Sequence, residues 1–317
     1  MQEEHKAKNI FFYPLSILLV VITAIIRIQP EGASFRFLVD NAPYVMLGVL
    51  GAGLVFMMLK WHRLMYLSFL CVGFLCLFLK GSINPSPVYA TKNPERSIEV
   101  VQLNTSFYDG GLEELTSLLL ESGADLLSVQ EVTPDWDAIF KEKLRDSFPY
   151  SRSVVSIGIN GMAVYSKMPL TNLETFYYKD IPNITGNILP DCDPSKRIRF
   201  VTTYTNPTVK TDAFYKDLRE HLGTIVEKVE PYSDAILAMG TYNTVAWSSE
   251  MKYFTDRLGL QNSRRSTYGS GSYVFHNPKV ECTEFSDFKD GDKSIGLRGT
   301  FQFSSKQVVF NDQRPTE

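Results

Sequence analysis

The chain has 317 residues, with 32 basic and 35 acidic side chains and a formal net charge of -3. This balance excludes the strong positive field on which general nucleic-acid binding depends, so we expect no nucleic-acid partner. The length suits one soluble domain of about 200 residues together with a further region.

Three apolar segments lie within residues 1–80, at 10–26, 44–59 and 64–79. Each has 16 or 17 residues and contains no charged side chain. Flanking residues extend them towards the ~20 residues that cross the hydrocarbon of a bilayer. The segments therefore predict a transmembrane region of three spans, whereas core helices of a soluble protein are the alternative.

Basic residues predict the orientation of these spans, because they favour the cytoplasmic side. Lys6 and Lys8 precede the first span, and Lys60, His62 and Arg63 lie between the second and third. The N-terminus is then cytoplasmic, and both the segment 27–43 and everything after the third span lie outside. For a bacterial cell we expect the inner (cytoplasmic) membrane, with a periplasmic or extracellular C-terminal domain.

This placement also predicts the partners. The membrane lipid bilayer is one, and other membrane or periplasmic proteins are the second class. Residues 81–95 contain three Pro and several small polar residues, which is typical of a linker. Residues 96–317 then form the predicted soluble domain.

Apolar runs and helical spacing alternate along this domain. Strands are predicted at 97–104, 124–131, 161–167, 197–204, 234–240 and 294–303. Helices are predicted at 112–123, 135–147, 212–229 and 248–258. The pattern favours an α/β fold in which two mixed sheets pack face to face with helices outside, a four-layer sandwich.

Polar residues follow several of the predicted strands. Asn104, Glu131, Tyr204 and Asn243 all lie at or just after strand ends. One carboxylate and two amides are oxygen ligands of the kind that Mg²⁺ accepts. Taken singly, Glu131 is more typical of an exposed or helix-capping acid and Asn104 of a turn, and both can simply hydrogen-bond strand ends.

Four stretches carry a resemblance to a known family. They are VVQLNTS, GADLLSVQEV, GMAVYSKMPL and AILAMGTYNTVAWS, in this order between residues 97 and 303. Together they resemble the endonuclease/exonuclease/phosphatase superfamily, and the three preceding spans resemble its membrane-bound bacterial members. The resemblance implies metal-assisted attack on phosphorus, with Glu131 as metal ligand beside Asn104 and with Mg²⁺ as cofactor.

The catalytic positions depart from the family pattern. Thr241 replaces the Asp of G-D-x-N, and Tyr204 stands where the family has a His. The terminal Asp-His pair corresponds either to Lys293 and Ser294 or, shifted by one, to Asp292 and Lys293. Neither alignment recovers a His.

Two functions stay open from these residues. In the first, the chain is a pseudoenzyme, with no metal or with Mg²⁺, whose outer domain binds a ligand or a partner protein. Asn104, Asn243 and Lys293 would bind a phosphate or sugar head group, and Tyr204 and Thr241 would hydrogen-bond it. In the second, it is a divalent-metal-dependent phosphoesterase acting on lipid-linked or head-group phosphates at the outer leaflet.

The second function needs replacement catalytic groups. The candidates are Asp287, Asp290, Asp292 and His276, and one of the carboxylates must reach the cluster at Glu131 and Asn104. A site lined by Thr, Tyr and Asn alone would favour the pseudoenzyme. Of the other His residues in the soluble domain, His221 lies in a predicted helix, where packing is expected. A disulfide between Cys192 and Cys282 is permitted outside the cytoplasm.

Overall fold

The computed structural model describes residues 2–86, 88–93, 97–190, 196–207, 210–229, 235–266 and 271–304, without the side chains of 2–10 and 33–34. Its N-terminal region is helical, with α1 (Gln2–Ile28), α2 (Ala33–Asp40), α3 (Ala42–Met58) and α4 (His62–Lys80). Each predicted span falls largely within one of these helices. Within the described residues, Phe11–Ile28 and His62–Lys80 are long and apolar enough to cross a membrane by length and composition, whereas α3 is shorter.

The helices pack closely against one another. A Cβ atom added to Gly53 in α3 would lie 2.7 Å from Cε1 of Phe69 in α4, so glycine permits the approach. The Ser68 hydroxyl donates to the Val49 carbonyl at 2.6 Å and is buried. The outward face of the three longer helices exposes many large apolar side chains, among them Phe11, Ile17, Leu18, Leu47, Leu54, Leu70, Phe74 and Leu77.

The described residues after α4 form two six-stranded mixed sheets, and two mixed sheets were predicted. One has the order β11 (Val280–Asp290), β12 (Lys293–Phe303), β1 (Ser97–Asn104), β2 (Leu126–Gln130), β4 (Met162–Ser166) and β3 (Tyr150–Val154). The other has the order β5 (Leu170–Tyr178), β6 (Ile181–Ile188), β7 (Ile198–Tyr204), β8 (Ala235–Thr241), β10 (Ser272–His276) and β9 (Gln261–Asn262). β1 and β2 are parallel, as are β7 and β8.

Helices cover the outer face of each sheet, which confirms the predicted α/β sandwich. α5 (Leu112–Glu121) and α6 (Pro134–Lys143) pack on the first sheet, and α7 (Asp212–Val229) and α8 (Ser249–Leu258) pack on the second. The buried Leu115 and Leu119 are four residues apart, which places both on the inner face of α5. A third apolar cluster fills the space between the sheets. The predicted helix at 135–147 ends earlier, at Lys143.

The segment 27–43, predicted as a loop, contains the short helix α2, which docks on the soluble domain. Arg36 forms a buried ion pair with Glu250 of α8, with Nη2 and Oε1 2.7 Å apart. The Trp247 indole donates to the Val39 carbonyl at 2.6 Å, and the Tyr215 hydroxyl donates to Asp40 at 3.0 Å. Eight residues rarely form a stable helix alone, so these contacts account for α2.

The possible disulfide between Cys192 and Cys282 stays open, because Cys192 lies outside the described residues. Cys282 is buried, and this burial raises the pKa of its thiol to about 12.

Candidate functional site

The two parallel strand pairs end at the same edge of the sandwich, and this edge carries the predicted polar residues. Asn104 and Tyr204 are the last residues of β1 and β7, and Thr241 is the last of β8. Glu131 directly follows β2, and Asn243 lies just beyond β8. Both have left-handed backbone conformations, with φ of 58° and 51°, which non-glycine residues adopt rarely.

The structure brings Asn104, Glu131 and Tyr204 into direct contact. Oε1 of Glu131 accepts one hydrogen bond from Asn104 Nδ2 and another from the Tyr204 hydroxyl, each 2.8 Å long. The Ser106 hydroxyl lies 3.3 Å from the same oxygen. Asn104 Oδ1 accepts from the Ser106 backbone N–H at 2.9 Å. Internal donors thus already surround the Glu131 oxygen that faces this cluster.

Tyr204 differs chemically from the His that the resemblance places at its position. Burial, followed by the hydrogen bond to the Glu131 carboxylate, raises the pKa of the Tyr204 phenol. The phenol therefore stays protonated around neutral pH and acts as a donor. It supplies no group that exchanges a proton near neutrality. Asn243 also interacts with the Tyr204 side chain, and its Nδ2 donates to the Thr205 carbonyl.

Thr241 lies inside the domain, and its predicted contact with a ligand is wrong. Its side chain is 1% exposed. The hydroxyl donates to Gln130 Oε1 at 2.6 Å and lies 2.8 Å from the Ser272 hydroxyl, which completes its hydrogen bonding. Gln130 Oε1 also accepts from Gln102 Nε2 at 3.1 Å. A closed polar network thus occupies the position that the resemblance assigns to a catalytic carboxylate.

Gly240 brings the backbone of β8 close to this network. Its φ of 150° is one that L residues avoid, and an added Cβ would lie 1.9 Å from the Thr203 carbonyl oxygen. The Gln130 amide donates to that same carbonyl at 2.5 Å. The glycine of the G-x-x-N motif therefore serves the packing of Gln130 between the two sheets.

The side chains of the Asn104, Glu131 and Tyr204 cluster do not fit the Mg²⁺ that the resemblance implies. Within the described residues, no group of three or more His, Cys, Asp or Glu side chains could hold a metal ion. Glu131 is the single carboxylate of the cluster, and a cation at its Oε1 would have to displace both Asn104 and Tyr204. Mg²⁺ keeps several waters and needs only one or two protein carboxylates, so the obstacle at Glu131 Oε1 is the loss of these two hydrogen bonds.

A polar cleft of about 520 Å³ opens beside the cluster. Its walls include Asn104, Lys293, Ser294, Arg264 and Asp287. Lys293 forms an ion pair with Asp109, and the Arg264 guanidinium is paired with Asp287 Oδ1 at 2.8 Å. Of the carboxylates considered as replacement catalytic groups, Asp287 is thus the one that shares this cleft with Asn104. Its carboxylate is already paired with Arg264.

The candidate His276 does not belong to the site, and neither does His221. His276 is buried at the far end of β10, opposite Leu237, whereas Ser272 at the near end pairs with Thr241. His276 lies four positions along the strand from Ser272, or roughly 13 Å away. His221 is buried under β6, where its Nε2 lies 3.0 Å from Asn183 Oδ1. His221 therefore packs, as its helical position predicts.

His221 predicts an acid-sensitive fold. Burial lowers the pKa of His221 from 6.5 to about 4, although Asp217 opposes this shift. The unfolded state therefore binds more protons between these pH values, so stability falls as pH drops from about 6.5 to about 4. We expect His221 to account for a loss of about 3 kcal/mol across this window. Denaturant unfolding of the full chain measures it, and His221→Gln should show a flatter profile. Identical slopes for the two proteins would contradict this assignment.

Several residues of the site were not predicted from the sequence. Gln130 precedes Glu131 in the quoted motif, and this position was its only signal. Ser272 and Arg264 belong to no motif. Ser272 joins the site because β10 pairs with β8, and Arg264 joins it through its ion pair with Asp287.

Residues 101–289 match the Endonuclease/Exonuclease/phosphatase family. Among solved structures, an endonuclease/exonuclease/phosphatase from Bacteroides vulgatus aligns with 66% of this chain and 99% of its own, with a TM-score of 0.54 and 10% identity. The human Nocturnin catalytic domain with bound sulfate aligns with 68% and 100%, with a TM-score of 0.51 and 14% identity.

A humanized D. rerio TDP2 aligns with 65% of this chain and 99% of its own, with a TM-score of 0.53 and 11% identity. At these identities the structural likeness concerns the fold alone. No curated protein matches the sequence. Because the family match spans more than half of the residues, the chain belongs to the Endonuclease/Exonuclease/phosphatase family.

Proposed function

We propose that this chain is a membrane-anchored pseudoenzyme of its family, whose extracytoplasmic domain binds a polar head group without hydrolysing it. The burial of Thr241 carries this proposal. The family's water-activating carboxylate is replaced by a hydroxyl that Gln130 and Ser272 enclose. A different orientation of the Thr241 side chain would not supply a general base, because a hydroxyl does not act as a base at neutral pH.

The cleft supplies the binding function. It combines the cations of Arg264 and Lys293 with the hydroxyls of Ser272 and Ser294. In the described structure, Gln102 Oε1 and Arg264 Nε are buried without hydrogen-bond partners. Buried polar atoms of this kind favour a ligand that completes their hydrogen bonds. A phosphate or sugar head group has the donors and acceptors for this role.

The helices support a three-span anchor. Gln29, just after α1, donates to the Trp247 carbonyl at 2.7 Å, and Asn262 donates to the Ser82 carbonyl just after α4 at 3.2 Å. Ala42, the first residue of α3, belongs to the same buried cluster as Trp247. The C-terminal ends of α1 and α4 and the N-terminal end of α3 thus lie at the soluble domain. In the proposed anchor, α3 therefore crosses the bilayer in the direction opposite to α1 and α4. Lipid and other membrane or periplasmic proteins are the proposed partners.

Ligand binding is tested by calorimetry on the full chain in detergent, with glycerol 3-phosphate as the probe. We expect binding that is lost when the cleft pair is neutralised in Arg264→Gln/Asp287→Asn. Lys289→Gln, which removes an exposed cation of β11 outside the cleft wall, is the matched control and should bind normally. Binding that survives in the double variant, or no binding to the parent chain, would contradict the proposed cleft.

Topology is tested with single cysteines in right-side-out membrane vesicles. Ile157, which is 92% exposed on the soluble domain, is changed to Cys in one variant and Lys60 in another. A membrane-impermeant maleimide should label the Ile157→Cys protein in sealed vesicles and the Lys60→Cys protein only after permeabilisation. The parent chain measures the background of its own thiols. The reverse labelling order would overturn the proposed orientation.

The phosphoesterase is the second candidate, and one observation favours it. Asp287 lies in the same cleft as Asn104, as a relocated general base requires. Its Oδ1 is held by Arg264, however, and Glu131 is held by Asn104 and Tyr204. Both carboxylates would have to exchange partners before a reaction could begin, so the pseudoenzyme is the better-supported proposal.

A further inference from the structure

A second cavity, of about 890 Å³, lies between the helical region and the soluble domain. α1 and α4 form its two long walls, and residues around α8 and β9 close one end. It is separate from the polar cleft, because the two cavities share no lining residue. We name it the interhelical groove.

The walls of the interhelical groove are apolar. Val20 and Ala24 of α1 face it, as do Leu70, Phe74 and Leu77 of α4. The lining extends from Val20 to Ile28 and from Leu67 to Lys80, which corresponds to about 12 Å of α1 and about 20 Å of α4 at 1.5 Å per residue. One leaflet of a bilayer has a hydrocarbon depth of roughly 15 Å, so the groove matches an acyl chain in length.

The domain end of the interhelical groove is cationic. Arg27 ends the span of α1, Lys80 is the last residue of α4, and Lys252 comes from α8. The lining contains one carboxylate, Asp256, beside these three cations. All three cationic side chains are exposed, and the ion pairs recorded among the described residues include none of them.

We propose that the interhelical groove binds one anionic phospholipid of the surrounding leaflet. Its acyl chain lies between α1 and α4, and its phosphate lies at Arg27, Lys80 and Lys252. An apolar trough that ends in unpaired positive charge is complementary to a molecule with an apolar tail and a negative head. A zwitterionic lipid gains less there, because its own cation opposes the three of the protein. The inference rests on the membrane anchorage proposed above.

The bound lipid would also contact the part of the chain that carries the polar cleft. Ala246 and Trp247 line the interhelical groove, and both follow Asn243 in the loop after β8. Trp247 is further fixed to α2 through its indole and to Gln29 through its carbonyl. The groove therefore places a lipid against the loop of the family's G-x-x-N motif.

The test is native mass spectrometry of the full chain released from detergent. The protein is supplied with an equimolar mixture of phosphatidylglycerol and phosphatidylcholine with the same acyl chains. We expect retained phosphatidylglycerol to predominate in the parent chain. Arg27→Gln/Lys80→Gln should reduce this preference roughly 25-fold, because each cation near a lipid phosphate contributes a factor of about five.

The matched control is Lys60→Gln/Arg63→Gln, which removes two cations at the turn between α3 and α4, at the opposite end of the helical region, and should keep the preference. A second variant, Ala24→Phe, narrows the groove and should reduce retention of both lipids. Equal retention of the two lipids by the parent chain would overturn the inference, as would equal losses in the two double variants. The vesicle labelling described above tests the membrane anchorage separately. A chain that is anchored but shows no lipid preference would therefore contradict lipid binding in the interhelical groove and leave the anchorage standing.

Discussion

Replacing Arg36 by Met is expected to lower the free energy of unfolding of the full chain by about 3–5 kcal/mol, the usual cost of leaving a buried charge without its partner. Arg36 and Glu250 side chains are 8% and 4% exposed. Two hydrogen bonds join them, at 2.7 and 3.2 Å, and the Arg36 guanidinium also lies 4.5 Å from the Tyr215 ring centre. The substitution leaves Glu250 charged and desolvated against α2.

The melting temperature of the detergent-solubilised chain measures this effect, and we expect a fall on the order of 10 °C. Arg36→Met/Glu250→Leu should recover much of the loss, because it removes both buried charges. Lys228→Met is the matched control. Its ion pair with Glu174 has the same 2.7 Å separation but is nearly half exposed, so its loss should cost under about 1 kcal/mol. A large effect of Lys228→Met, or a negligible one of Arg36→Met, would contradict the docking of α2.

Thr241→Asp, which recreates the family motif, is expected to destabilise the chain by about 3–5 kcal/mol rather than to restore a catalytic base. The new carboxylate would face Gln130 Oε1, and one acceptor cannot donate to another. Gln130 cannot rotate its amide without cost, because its Nε2 donates to the Thr203 carbonyl and its Oε1 accepts from Gln102.

The pH dependence separates this electrostatic cost from a loss of packing. The carboxyl introduced by Thr241→Asp would ionise near 3.9 in the unfolded chain and at a higher pH in the buried site. The destabilisation should therefore grow as pH rises above about 4. Thr241→Val, which keeps the shape and loses the hydroxyl, should cost about 1 kcal/mol at every pH. A stable Thr241→Asp protein that hydrolyses phosphodiesters would contradict the closed network.

Much of the sandwich could be predicted from the sequence, since β1, β2, β7 and β8 are short apolar runs between turn signals. β6 could not, because its buried interior carries polar side chains. Thr185 donates to the Phe200 carbonyl at 2.8 Å, and Asn183 accepts from the Thr203 hydroxyl at 2.6 Å. Such side chains are satisfied by residues distant in the chain, so the strand has no apolar run to mark it. The helix α2 could not be predicted for a related reason, because its stabilising contacts lie between 175 and 214 positions away.

The candidate site shows the same division. Motif order placed Asn104, Glu131, Tyr204 and Asn243 at one edge, and the structure brings them together. The state of Thr241 could not be read from its neighbours, because Gln130, which accepts its hydrogen bond, lies 111 positions away. The same holds for Arg264, whose role depends on its ion pair with Asp287 of β11.

We propose above that the domain has the fold of its family without its turnover. The most direct measurement is the hydrolysis of bis(p-nitrophenyl) phosphate by the purified full chain with Mg²⁺ or Mn²⁺, beside Glu131→Gln at the same concentration. We predict equal rates for the two proteins, neither above the rate without protein. A metal-dependent rate in the parent chain that falls on the order of 10²-fold or more in Glu131→Gln would contradict the pseudoenzyme.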